Sequence, residues 1–525
     1  MKIYLGFVIL LFLIASCHEE SGDDLGEMPH AAFVYSVLHE PEGRVLVLEN
    51  RSVNADSVRW ILNGEYVFVK PYVKLLVKSL DRVSLVLIAT NHAGSNRVVK
   101  EIVLNAQFDM VSGSSYSWWC DPISFHYQGI NYFSGVDELG QQVVYFYNND
   151  KQLMNHHVVC TGYGRDEHNT AAILPVGQSI LIAATGHNED DVVHFSRYSL
   201  DFSRNDFVDI QLKFPVKTAY SILQQCGQRI FYATRAKSEW FFTWSDDGGL
   251  SWQPPKQFVL GNSAISSLFY IRMISVQDDV LEVTAYFHPV DAKDQQLLAW
   301  CRIMTNTGDV VVEDGRRIGN IYDPNFGGIS VSDMIGILRP EKGHTFRFLD
   351  VAKKQHIDQS VFLIAKAPLE DYASGNYYYL VRDHLSMNTH EIEITAHGNT
   401  LPHPTYWGGA YFVSDRRYFW NGNYIFLSRE QESFWQVEQY RFNGMSFTAD
   451  RVLERCSGSQ GLVLARPLPP LGSGEGGLSV IYQRGSYYGL PYSFNNWRDM
   501  HWPMYDANLM PVFTTGIEEE ISEIF

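Results

Sequence analysis

Arg229-Ile230-Phe231-Tyr232-Ala233-Thr234, Glu239-Trp240-Phe241-Phe242-Thr243-Trp244 and Ser245-Asp246-Asp247-Gly248-Gly249-Leu250-Ser251-Trp252 follow one another in this order. The first two runs are short, apolar and rich in aromatic and β-branched residues, as strands on a buried pleated surface are. The third is a turn with a mechanism. Ser245 and Asp247 can satisfy loop amides, the paired glycines supply positive φ, and Trp252 can cover the edge of the sheet. Asp247 is therefore read as a turn-former, not a catalytic carboxylate.

The same pairing of strands recurs upstream, in Gln178-Ser179-Ile180-Leu181-Ile182-Ala183-Ala184-Thr185 and Val192-Val193-His194-Phe195-Ser196-Arg197-Tyr198. From residue 107 onward helical periodicity almost disappears, and short strands alternate with Gly, Asn and Asp over more than 400 residues. That length exceeds one sandwich, whereas four-stranded sheets repeated around an axis cover one another's faces. Residues 107–525 divided among seven blades give about 60 residues each, which leaves room for elaborate loops. The expectation is a seven-bladed β-propeller.

Residues 30–106 carry strand runs of their own, among them Ala32-Phe33-Val34-Tyr35, Val45-Leu46-Val47-Leu48 and Val83-Ser84-Leu85-Val86-Leu87-Ile88-Ala89. Their spacing predicts a small β-sandwich. The pattern Val58-x-Trp60-x-x-Asn63-Gly64, with Leu87-Ile88-Ala89-Thr90-Asn91-x-x-Gly94 after it, resembles the PKD family of immunoglobulin-like modules. The resemblance implies a spacer without chemistry.

Residues 1–17 hold Lys2, an apolar run from Leu5 to Ile14, and Ala15-Ser16-Cys17. The run is too short for a permanent membrane span and has the flanks of a secretory signal. Leu13-Ile14-Ala15-Ser16-Cys17 resembles a lipobox, which implies that Cys17 is lipidated. Residues 18–29 include Glu19, Glu20, Asp23, Asp24 and Glu27, the composition of a solvated tether. Acidic residues after the lipidated Cys are similar to the signal of surface lipoproteins of some Gram-negative bacteria. An outer-membrane lipoprotein, at the cell surface or facing the periplasm, is expected, held to the membrane by its lipid anchor alone.

At 46% hydrophobic and 14% aromatic residues, the 525-residue chain has ample material for packed cores. Its net charge of -18 argues against nucleic acid, whose binders need a basic face. Any site for a polyanion must create positive potential locally, against the field of the whole protein. Cys120, Cys160, Cys226, Cys301 and Cys456 show neither C-x-x-C nor zinc-finger spacing, so neither a disulfide framework nor a zinc site is indicated, while an oxidising compartment leaves room for one or two bridges.

Between Trp118 and Arg235 come Asp166-Glu167-His168-Asn169, Ala183-Ala184-Thr185-Gly186-His187-Asn188, Thr218-Ala219-Tyr220 and Phe231-Tyr232-Ala233-Thr234-Arg235, with the turn at Ser245 after them. In that order they resemble the BNR-repeat (Asp-box) propeller family that includes ulvan lyases. His288-Pro289, Tyr406-Trp407-Gly408-Gly409, Leu427-Ser428-Arg429-Glu430, Trp435-Gln436-Val437-Glu438 and Ala465-Arg466-Pro467 continue the likeness across most of residues 107–525. It implies a polysaccharide lyase that cleaves a uronic-acid-containing glycan by β-elimination. The implied roles are His168 and Tyr220 as acid and base, and His187 and Arg235 as substrate-binding groups. Removing a uronate C5 proton needs a positioned cation, because the neighbouring carboxylate is already negative. Arg235 suits that task, and a tyrosine beside it is expected to have its pKa lowered. The resemblance requires no cofactor and leaves room for a structural divalent cation such as calcium with no ligands identified; a monomer is expected.

Each residue also has a quieter explanation. His168 can cap or pair within an acidic loop, and His187 can serve a strand end. Tyr220 can fill a core, and Arg235 can form an ion pair between blades. His156-His157, His397, His403, Arg466 and the Trp407 turn are weaker candidates. A glycoside hydrolase on the same fold is the first alternative and would require a suitably spaced pair of carboxylates. A non-catalytic glycan-binding surface lipoprotein, with Trp118-Trp119 and Tyr487-Tyr488 as stacking platforms, is the second. Convergence of His168, His187, Tyr220 and Arg235 in one place separates the readings.

Overall fold

The structure, a computed structural model, describes residues 27–103 and 111–457 apart from short interruptions, the longest of them 397–409. It further describes 466–468, 481–483, 508–509 and 522–524. Cys17 and the tether up to residue 26 lie outside the described residues, as do Trp118, His397, His403, Trp407, Tyr487 and Tyr488. The chain divides into two compact units. One holds Asn50–Pro71 and Val83–Ile102, with residues up to Phe33. The other holds Val34–Glu49, Tyr72–Arg82 and Val103–Phe525.

In the smaller unit the strands Tyr66–Phe68, Ser57–Leu62, Arg82–Asn91 and Gly94–Val103 form one sheet in that order. Val83, Leu85, Leu87 and Ala89 alternate inward along the third strand, which is how a period of two buries one face. Trp60 is fully buried, and its Nε1 donates to the Lys70 carbonyl at 2.8 Å. In the larger unit a separate sheet joins Phe33–Glu40, Gly43–Asn50 and Tyr72–Val77, with Ser522–Ile524 parallel to the last.

The rest of the larger unit is a β-propeller. Among the described residues six antiparallel groups follow in chain order, starting with Ser124–Tyr127, Ala172–Val176, Ala219–Cys226, Ser267–Gln277, His344–Lys354 and Ala410–Ser414. The opening strands of consecutive groups touch one another, as innermost strands around an axis do. The last two groups are bridged by a parallel pairing of Lys353 with Phe419 and Lys354 with Trp420. After them the short strands Arg466–Leu468, Ile481–Gln483, Asn508–Leu509 and Val111–Ser112 adjoin in turn, so the start of this region meets its end.

The turn at Ser245 has the expected physics. Ser245 Oγ donates to Asp247 Oδ1 at 2.8 Å and accepts the Gly249 amide at 2.8 Å. Asp247 also takes the amide and hydroxyl of Ser251 at 2.8 and 2.6 Å. Gly248 and Gly249 have φ of 73° and 93°, and a Cβ on Gly249 would lie 2.9 Å from Leu181 of the preceding group. Trp252 stacks on Phe195 of that group at 4.1 Å, so the turn seals one blade against the next.

A second joint is ionic. Glu282, 1% exposed, accepts Lys353 Nζ and Arg302 Nη2 at 2.8 Å each. Lys353 also reaches Asp358 at 2.8 Å, and Arg302 pairs with the same carboxylate. Ser360 Oγ lies 2.8 Å from Glu282 Oε2 and 2.7 Å from His384 Nε2, while His384 Nδ1 lies 2.7 Å from Glu313 Oε1. Among the described residues no disulfide involves Cys120, Cys160, Cys226 or Cys301.

Candidate functional site

The four residues singled out in the sequence meet in space. Asp166 opens a 3-10 turn, Glu167–Asn169, just before the strand Ala172–Val176. Its Oδ1 accepts the His168 amide at 2.9 Å and His168 Nδ1 at 2.6 Å, and its Oδ2 accepts His187 Nδ1 at 2.9 Å. His187 lies in the loop after Ser179–Ala184. Asn169, fully buried, accepts the His187 amide through Oδ1 at 2.7 Å and donates through Nδ2 to the Tyr163 carbonyl at 2.8 Å. The same loop is stitched to the next blade, because the Asn188 amide donates to the Thr218 carbonyl at 2.8 Å. Tyr220 therefore arrives beside His187.

The ring centroids of His168 and His187 are 4.4 Å apart, and each lies about 5.5 Å from Tyr220, at 5.6 and 5.5 Å respectively. Tyr220 has φ of 61° at a bulge between Ala219 and Ser221, a left-handed posture unusual for an aromatic residue. Arg235, on the paired strand opposite Ala219, places its guanidinium 4.5 Å from the Tyr220 ring and 5.3 Å from that of Tyr270. Its Nε is buried and has no hydrogen-bond partner among the described residues. The imidazoles are the open part of the cluster, with side chains 17% and 22% exposed for His168 and His187, while Tyr220 is 2% exposed beneath them.

Electrostatics assign states. Burial opposes ionisation of Asp166, but the charge and hydrogen bond of His168, with the bond from His187, hold its carboxyl well below the usual range. Burial, then the charge on His168, bring His187 down to about 4, so it is neutral at pH 7. For Tyr220 the sequence-based expectation of a lowered pKa is corrected. Burial pushes the phenol well above its ordinary value, and the nearby Arg235 opposes this without overcoming it. Tyr220 is a proton donor in this state.

Trp119, read in the sequence as part of a sugar-stacking platform, is instead buried at 5% exposure and stacks on Tyr270 at 3.6 Å. Sequence reasoning missed the arginines around it, of which Arg347 lies 4.6 Å from the Trp119 ring and 5.7 Å from Tyr270. Arg272 pairs with Asp121 at 3.4 Å. Arg235, Arg272 and Arg347 are all nearly buried, on three different opening or second strands, and give an acidic protein a concentration of positive charge. No motif marks them, since they join the cluster only through the ring of strands.

Two described clusters have donor sets that suit a cation, Asp166 with His168 and His187, and Glu282 with Asp358 and His384. In the second, Lys353 and Arg302 already supply the positive charge.

No family model matches the chain, and no curated protein does. Among solved structures, a polysaccharide lyase of family PL25, an ulvan lyase, aligns over 71% of this chain and 91% of its own at 12% identity, with a TM-score of 0.54. A PL25 ulvan lyase bound to -[GlcA(1-4)Rha3S]- aligns over 71% of this chain and 90% of its own, again at 12% identity and a TM-score of 0.54. Uly1, another polysaccharide lyase, aligns at 11% identity over 74% of this chain and 91% of its own with a TM-score of 0.46. At such identities the likeness is one of fold. The chain thus shares its all-β, propeller-type architecture with solved polysaccharide lyases.

Proposed function

We propose that the protein is an exported polysaccharide lyase that cleaves a uronic-acid-containing glycan by β-elimination. The observation that carries this reading is the meeting of Arg235, Tyr220, His168 and His187 around one Asp166 carboxylate. Elimination needs a cation for the enediolate-like transition state, an acceptor for the C5 proton and a donor for the leaving oxygen. A guanidinium, imidazoles and a protonated phenol supply these types of group. The fold shared with polysaccharide lyases supports the reading, and no step in it calls for a cofactor.

Hydrolysis is less well supported. Two carboxylates would have to be available to the sugar. Asp166 is bonded to both imidazoles and Asp121 is paired with Arg272. The test is product analysis on a panel of uronate glycans. Elimination yields a fragment lighter by one water than its hydrolytic counterpart, with ultraviolet absorption from the new double bond. Fragments of hydrolytic mass, or binding without any fragment, would replace the proposal with one of the alternatives.

In the same proposal residues 30–106 act as a PKD-like spacer, and a lipid on Cys17 holds the enzyme at the outer membrane.

A further inference from the structure

Among the described residues the Asp166 carboxylate takes three hydrogen bonds, and all of them come from the two histidines. An ionised carboxylate has no hydrogen to give, so every partner must be a donor. His168 Nδ1 at 2.6 Å and His187 Nδ1 at 2.9 Å therefore each carry a hydrogen. In a neutral imidazole this leaves the lone pair on Nε2, the nitrogen turned away from Asp166. The two rings are stacked, 4.4 Å apart with 27° between their planes. Asn169 removes the remaining freedom by fixing the His187 backbone at 2.7 Å.

We propose that Asp166 is the positioning residue of the site: it fixes hydrogen on Nδ1 of both imidazoles and presents Nε2 of His187 as the acceptor of the C5 proton. The inference rests on the lyase reading and divides the labour within it. With its Nδ1 hydrogen directed at Asp166 and its backbone held by Asn169, a neutral His187 has its lone pair at Nε2, which would repel a uronate carboxylate. The substrate-binding role that the sequence suggests for His187 passes to Arg235 and His168, and His187 becomes a catalytic residue. In the step, the C5–H bond breaks and its proton goes to Nε2 of His187. The freed electron pair forms the C4=C5 double bond, the C4–O bond breaks, and the leaving oxygen takes the phenolic proton of Tyr220. Solvent then returns a proton to Tyr220 and removes one from His187.

Neutron diffraction from deuterium-exchanged crystals of the full chain, with kinetics of Asp166→Asn on a cleaved uronate glycan, tests this. Expected are deuterium on Nδ1 of both rings and a fall in kcat of about 10- to 100-fold, with KM within about twofold. Asparagine keeps an oxygen for the His168 amide, and one of its two faces now donates, so one imidazole must turn over its tautomer. A bare Nδ1 on either ring of the parent, or an unchanged kcat in a folded Asp166→Asn, would overturn the proposal. Should the variant fail to fold, the map of the parent decides alone. Should the parent cleave no uronate glycan, the lyase reading fails, and the map still decides what Asp166 does.

Discussion

At the level of single residues, the proposed chemistry separates groups that act through charge from groups that act through a proton. Arg235 is stacked on Tyr220 and Tyr270 in a buried place, where a planar guanidinium fits and an ammonium does not. Arg235→Lys should therefore lower kcat/KM on a uronate substrate by roughly 10²- to 10³-fold, the usual effect of losing one transition-state donor, as followed by the absorbance of the unsaturated product. A loss below about threefold would remove Arg235 from the machinery. The four expected residues were legible because their order and spacing carried a resemblance. Asp166 was quoted in the same stretch, yet its bond to His187, 21 positions away, is set by a loop that no local pattern encodes. Tyr220 shows the converse failure. Its neighbour Arg235 was foreseen, but burial sets its protonation, and burial is a property of the packed sheets.

Among the elements, the turn at Ser245 was the most readable feature, since it satisfies its own amides and hydroxyls within seven residues. Local chemistry of this kind survives without tertiary context. Asp247→Ala removes three hydrogen bonds and should cost about 1–2 kcal/mol, seen as a lower melting temperature, with turnover unchanged. Turnover lost in step with stability would contradict the reading of Asp247 as purely a turn-former. By contrast, the 3-10 turn Glu167–Asn169 was read only as a loop, because its single turn is held by Asp166 and Asn169 rather than by propensity. Sheet edges such as the parallel contact of Lys353 with Phe419 were equally hidden, since they join residues 66 positions apart.

For the whole molecule, the all-β propeller was readable from the absence of helical periodicity and the length of the strand-rich region. The ionic joint between blades was not, because Glu282, Arg302, Lys353, Asp358 and His384 are scattered through 103 positions of sequence. Burial opposes the charge on Glu282, but Lys353, Arg302 and His384 hold its pKa at about 2, against 4.5 for a free glutamate. A carboxyl depressed in this way stabilises the fold above pH 4.5 by roughly 3 kcal/mol, and the contribution fades as pH falls toward 2. Lys353→Met should cost about 3 kcal/mol at neutral pH and flatten that acid dependence, as measured by denaturant titration at several pH values. An unaltered midpoint would show that Arg302 compensates Glu282 alone. Export is checked separately: metabolic labelling with a fatty acid should mark the protein and be lost in Cys17→Ser.

The candidate centre draws Asp166 and His187 from one blade, Tyr220 and Arg235 from the next, and Tyr270 from the one after. It comes into being only when neighbouring sheets have docked. A chain crossing a membrane as an extended thread would carry no working centre at all, so whatever glycans the cell keeps behind that membrane would never meet a finished one. In a refolding experiment, regained activity would be a late event, trailing the burial of tryptophan.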